Sequence, residues 1–200
     1  MSFPKEWCQF IIKNKALLEG GIVEPIEKVV FKAINARLEK RLRDIKGWKG
    51  KYDLVSGDAE ETAFAPAAWP EDKDGRYRAS YKLGALETDE NTYWLSSALG
   101  VNNAKLSFRL WVHGALGGRS KGEIDRKILT VGTSVAAREA GMLRDEDGTV
   151  YLPFVFDAKT LAAEYPTVDK TLAPLDVALD ALLKIHPQID AAVKDLAAKR

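Results

Sequence analysis

Positively charged residues recur at alternate positions in two segments near the middle of the chain. In the first segment these residues are Arg76, Arg78 and Lys82. The second segment, 104–113, carries a comparable set between its apolar residues: Lys105, Arg109, Trp111 and His113. Side chains of a β-strand alternate between the two faces of a sheet, so each set shares one face of its strand. We expect one joint basic surface if both strands turn their apolar sides to the same core.

This combination of residue types is typical of surfaces that bind polyanions. Phosphate groups need fixed cations and unstacked bases need aromatic faces, and several single-strand binders offer both on a sheet. The sequence therefore predicts a non-catalytic binding module for a polyanionic partner such as nucleic acid. The alternative interpretation is a solvated strand face, on which positive charge opposes aggregation, or a face that a helix covers.

A glycine-rich segment, 114–122, follows the second strand and leads into a predicted helix. Glycines at such a junction let backbone N–H groups converge on an anion, with Arg119 and Lys121 as countercharges. The segment also has a structural interpretation, because Ser120 begins the S-x-x-E spacing of a helix capping box. A hydrolase or phosphoesterase is one alternative function, and it requires Arg119, Ser120 and His113 to converge in one pocket.

The sequence offers few residues at the spacing that a metal site or a catalytic site needs. The two histidines, His113 and His186, have no cysteine, histidine or carboxylate at the spacing of zinc ligands. The E-x-K tripeptide at 71–73 lies among turn-forming residues, whereas a metal-dependent nuclease needs such groups on rigid strands. We therefore predict no catalytic residue, no metal site and no cofactor.

The elements that position these residues follow from the spacing of apolar side chains. Helical spacing predicts an N-terminal pair of helices, over 4–18 and 24–46, and a later helix over 121–140. Strict alternation and compact apolar runs predict strands over 76–86, 92–99, 104–113 and 149–156. Further helices follow, with Pro187 starting a short last one. The predicted fold class is α+β, an antiparallel β-meander of about four to five strands packed with helices.

Length and composition favour a single compact domain. The 200 residues are 46% hydrophobic and 30% charged, which excludes a disordered or membrane-embedded chain. We predict one domain over 1–200, divided into a helical pair at 1–48, the sheet at 49–156 and C-terminal helices at 157–200. The single cysteine excludes an intrachain disulfide, and charges near the N-terminus do not fit a signal peptide. A cytoplasmic location without membrane association is expected.

The charge is nearly balanced but unevenly distributed. Formal net charge is +1, while residues 1–51 hold twelve Lys or Arg against six Asp or Glu. This excess either marks a basic arm that adds a second contact to a polyanion, or lets the N-terminal helices dock on an acidic body. A protein–protein scaffold is the other alternative function, in which helix 24–46 contacts a partner or a second copy.

Overall fold

The computed structural model describes residues 23–53, 62–86, 94–145 and 148–198. The helices are α1 Glu24–Arg43, α2 Trp94–Ala98, α3 Lys121–Gly132, α4 Val135–Glu139, α5 Ala158–Glu164 and α6 Ala173–Ala197. The strands are β1 Trp48–Tyr52, β2 Thr62–Pro66, β3 Ala79–Leu86, β4 Lys105–Val112, β5 Leu143–Arg144 and β6 Val150–Phe154. These elements form the predicted α+β fold, with a helix ahead of the strands. The first predicted helix, 4–18, lies outside the described residues.

The six strands found in the described residues form one antiparallel sheet in the order β1-β2-β3-β4-β6-β5. The strands predicted over 76–86, 104–113 and 149–156 correspond to β3, β4 and β6. The sheet has more strands than predicted because β1, β2 and β5 also join it. All five residues of β2 are buried, so this strand has no polar face whose alternation would show in the sequence.

The prediction of a strand over 92–99 is wrong, because residues 94–98 form the short helix α2. Two contacts with α1 explain the difference. The ring of Trp94 packs edge-on against Phe31, with 5.5 Å between the ring centroids. The Leu95 N–H donates to the buried carboxylate of Glu27 at 2.8 Å, which satisfies a backbone donor at the start of the helix. Neither contact is visible in the local spacing of apolar residues.

Two helix boundaries also differ from prediction. The single helix predicted over 121–140 is two helices, because the Ser134 hydroxyl accepts from the Ala137 N–H and starts α4. By contrast, Pro187 lies inside α6, which runs unbroken to Ala197. Helix α6 buries residues on both sides of this proline, including Leu182 and Ile189. That burial offsets a local cost of about 3 kcal/mol for an interior proline.

Helices α1 and α6 pack together on one face of the sheet. The apolar stripe of α1 is buried in the common core, through Val30, Phe31, Ile34, Leu38 and Leu42. Arg37 and Arg41 extend from α1 to Asp176 of α6, at 3.6 Å and 3.0 Å. These ion pairs correspond to the docking interpretation of the basic N-terminal region. None of the described helices is both long and apolar enough to cross a membrane.

Candidate functional site

The register of β3 and β4 places the predicted cations on a single face of the sheet. Lys82 pairs directly with Arg109, and Ser80 pairs with Trp111. We call the face that carries these four side chains the basic face. The opposite face carries Tyr81, which is fully buried and contacts the helical layer through His186 of α6. The β-structure therefore separates a core-forming face from a polar one.

The side chains of Lys82 and Arg109 diverge, although the two residues are directly paired. The Lys82 Nζ lies over the Trp111 ring, 4.7 Å from its centroid. The Arg109 side chain extends the other way, where its guanidinium donates to the Ala85 carbonyl oxygen. It lies over Gly84, at which a Cβ atom would stand 3.4 Å from Arg109 Nε. Because like charges directly opposite each other repel, this divergence lets both cations occupy one face.

A cleft of about 510 Å³ opens on the basic face beside β1, and we call it the Ser80 cleft. Its described lining contains three cations, two aromatic rings, a hydroxyl and a carboxylate: Lys51, Arg76, Lys82, Tyr77, Trp111, Ser80 and Glu71. The carboxylate of Glu71 forms an ion pair with Lys49 at 2.6 Å. Ser80 is fully buried, and its Oγ has no hydrogen-bond partner. This cleft therefore combines positive charge, aromatic surface and an unsatisfied hydroxyl.

A second cleft, of about 750 Å³, lies between β4 and helix α3, and we call it the α3 cleft. Its described lining contains five cations: Lys82, Arg109, Lys121, Arg126 and Arg144. Asp125 is the carboxylate among the described lining residues, and apolar side chains such as Ile124 and Ile128 line the rest. The α3 cleft shares Lys82 and Trp111 with the Ser80 cleft. The two clefts therefore meet at the indole of Trp111, which is 36% exposed.

Arg78 and His113 extend the basic face beyond Trp111. The His113 N–H donates to the Arg78 carbonyl at 2.8 Å, which continues the pairing of β3 with β4. The Arg78 Nη1 lies 3.1 Å from Nδ1 of His113, and the Ala115 N–H donates to the same nitrogen at 3.2 Å. The His113 ring also meets Trp111 edge-on, with 6.2 Å between centroids. Arg78 and His113 thus border the clefts without lining them.

Two of the predicted binding residues lie away from the clefts. Lys105 pairs with Leu86 at the far end of β4, four residues and about 13 Å along the strand from Arg109. Arg119 donates to the carbonyl oxygens of Asp195 and Leu196, at 2.9 Å and 3.3 Å. A cation in this position compensates the partial negative charge at the C-terminal end of α6. The described contacts of Arg119 therefore stabilise the fold.

The glycine-rich segment 114–122 also makes structural contacts. Gly117 has φ +63°, and a Cβ atom there would overlap the Leu196 carbonyl oxygen. Ser120 and Glu123 form the capping box that the spacing indicates. The Ser120 hydroxyl donates to Glu123 at 3.2 Å. The two clefts described above are lined by none of His113, Arg119 and Ser120.

Several cleft residues were not predicted as binding residues from the sequence. Lys51 lies on β1, where two lysines alternate with Trp48, Gly50 and Tyr52, so alternation could have identified it. Tyr77 alternates with Arg76 and Arg78, which predicts that it lies on the apolar face of the strand over 76–86. It lines the Ser80 cleft instead, because regular strand begins only at Ala79. Arg126 and Arg144 reach the α3 cleft from α3 and β5, whose positions depend on tertiary packing. No local pattern indicates that placement.

The lining of the two clefts combines cationic side chains with the aromatic rings of Tyr77 and Trp111. In the part of the chain that the structure describes, no group of three or more His, Cys, Asp or Glu side chains could hold a metal ion. No protein-family model, curated protein or solved structure gives a significant match to this chain.

Proposed function

We propose that the protein is a non-catalytic binding module that takes a polyanionic partner, such as nucleic acid, across its basic face. One observation carries the proposal: two clefts rich in cations meet at Lys82 and Trp111. Of the described residues that line them, seven are Lys or Arg and two are carboxylates. A cytoplasmic location, which the sequence analysis predicts, belongs to the same proposal.

The charge that lines the clefts matters more for binding a polyanion than the net charge of the chain. A formal charge of +1 gives the whole chain almost no long-range attraction for a polyanion. A concave surface lined by cations still concentrates the field inside it, because the protein walls have a low dielectric constant. Binding then releases counterions from the partner, so affinity falls steeply as salt concentration rises.

The test removes one cation from each cleft and measures affinity for inorganic polyphosphate and for a single-stranded oligothymidylate. Lys51→Gln combined with Arg126→Gln should weaken binding about tenfold and lower the salt slope for the oligothymidylate by about 1.4 units. The matched control is Lys159→Gln combined with Lys184→Gln, which removes the same charge from α5 and α6. Equal weakening in both variants would contradict binding at the clefts. No binding of either polyanion by the unaltered protein would refute the proposed function.

The two alternative functions have less support from the geometry. The scaffold alternative needs an apolar stripe on α1 that its own core cannot cover, but Ile34 and Leu38 are fully buried. The hydrolase alternative needs Arg119, Ser120 and His113 in one pocket. Their described contacts are with the end of α6, with Glu123 and with Arg78. Both alternatives stay predictions.

A further inference from the structure

The hydroxyl of Ser80 is the most specific polar feature of the Ser80 cleft. Its Oγ is buried without a hydrogen-bond partner, and the residue pairs directly with Trp111. A buried hydroxyl with no partner costs free energy comparable to a lost hydrogen bond, so native proteins rarely keep one. An atom of a ligand in the cleft would satisfy it. The Ser80 hydroxyl thus indicates a ligand that has a hydrogen-bonding group next to the indole.

The aromatic rings of the Ser80 cleft indicate a ligand that carries an aromatic ring as well as negative charge. Trp111 and Tyr77 both line it, and each ring has a lysine ammonium against it. Lys82 Nζ lies 4.7 Å from the Trp111 centroid, and Lys49 Nζ lies 5.5 Å from the Tyr77 centroid. An aromatic ring on the ligand can stack on indole, while its anionic group lies near the ammonium groups. A nucleotide supplies both groups, the ring and the anion, in a single unit.

The size of the Ser80 cleft favours a single-stranded nucleic acid over a duplex. Its volume of about 510 Å³ lies in the range of small-ligand sites, so it admits a single nucleotide unit. Bases inside a duplex are stacked on one another and cannot reach a protein ring without being extruded. Because the α3 cleft continues from Trp111 with further cations, a strand can extend from one cleft into the other.

We infer that the Ser80 cleft receives one nucleotide unit of a single-stranded nucleic acid. The base stacks on Trp111, the phosphate lies near Lys51 and Arg76, and the Ser80 hydroxyl hydrogen-bonds the nucleotide. The adjoining phosphates continue into the α3 cleft. This inference rests on the proposed function and adds the class of partner to it.

The first test separates recognition of the base from attraction to phosphate. The probes are an oligothymidylate of about ten nucleotides, a typical length for a single-strand site, an abasic strand of equal length, the matching duplex, and thymidine monophosphate. We expect the oligothymidylate to bind at least about tenfold more tightly than the abasic strand or the duplex. Thymidine monophosphate should bind more weakly than the strand, because it leaves the α3 cleft without phosphates.

Trp111→Leu should abolish the preference for the oligothymidylate over the abasic strand, because leucine offers no ring for a base to stack on. Affinity for the abasic strand should stay within about threefold, because no cation of the cleft is removed. Equal affinity of the unaltered protein for the two strands would overturn the inference and leave the proposed polyanion binding intact. Tighter binding of the duplex would also overturn it. Failure to bind any strand or polyphosphate would instead refute the proposed function.

The second test concerns the serine hydroxyl and has a control on the same face. Ser80→Ala should weaken oligothymidylate binding about five- to tenfold, while the urea midpoint stays equal or rises. Ser107 is also fully buried on this face, but its hydroxyl donates to the Gly84 carbonyl at 3.3 Å. Ser107→Ala should therefore lower the urea midpoint and leave affinity unchanged. A lower midpoint with unchanged affinity for Ser80→Ala would overturn the role of this hydroxyl.

Discussion

Replacing Gly132 with alanine tests how closely α3, one wall of the α3 cleft, lies on β6. A Cβ atom at this last residue of α3 would stand 2.5 Å from both Cγ atoms of Val150. Carbon atoms in ordinary contact are ~3.5–4.0 Å apart, so one of the elements must move by about 1 Å. Val150 is fully buried, so its methyl groups have no solvent to turn into. Overpacking of this kind costs ~1–3 kcal/mol.

Gly122→Ala, in the same helix, is the matched control. A Cβ atom at Gly122 meets no heavy atom within 4 Å, so alanine there adds helix propensity of up to ~1 kcal/mol. We expect Gly132→Ala to lower the free energy of unfolding by about 1–2 kcal/mol and Gly122→Ala to preserve or raise it. Urea unfolding measures both, and equal m-values show that only stability changed. Equal stability of the two variants would refute the close approach of α3 to β6.

Three further substitutions test contacts in the helical layer. Gly117→Ala should lower the free energy of unfolding by about 2 kcal/mol or more, because the new Cβ overlaps the Leu196 carbonyl at a positive φ; an unchanged urea midpoint would contradict this. Burial lowers the pKa of His186 from 6.5, so below pH 6.5 the folded chain binds fewer protons than the unfolded chain. The free energy of unfolding should therefore fall as pH drops below 6.5, and His186→Gln should reduce that loss. Asp176→Asn should cost about 0.5–1 kcal/mol in low salt and less in high salt, because it removes the ion pairs with Arg41 and Arg37.

The parts of the fold that could be predicted are those whose local pattern and tertiary role agree. Helix α1 and the strands β3 and β4 have regular apolar spacing, and apolar residues such as Ile34, Tyr81 and Phe108 are buried as that spacing predicts. Ser80 and Ser107 lie on the opposite, basic face and are buried as well, which the spacing does not predict. Helix α2 could not be predicted, because the Glu27 carboxylate that binds its first turn is distant in sequence. Strand β2 escaped detection because its residues are buried on both faces.

The candidate site likewise contains residues that the sequence could predict and residues that it could not. The sequence could predict that Lys82, Arg109 and Trp111 share a face, because side chains alternate along each of their two strands. Arg126 and Arg144 join them only because α3 and β5 converge near β4, which no local pattern specifies. The unsatisfied hydroxyl of Ser80 could be recognised only once its surroundings were known.

Among the described residues, acidic and basic side chains are distributed unequally between the helical layer and the two clefts. Acidic residues of the C-terminal segment neutralise cations of the helical layer and its loops. Asp169 pairs with Arg37, and both Asp176 and Asp180 pair with Arg41. Asp190 pairs with Lys194, and Asp195 pairs with Lys127 and Arg119. The described lining of the two clefts has few carboxylates for its many cations. A polyanion bound as we propose would experience mainly the charges within about one Debye length, ~8–10 Å at moderate salt, and those are the charges of the lining. A protein with a net charge of +1 can therefore show the steep salt dependence of a far more basic one.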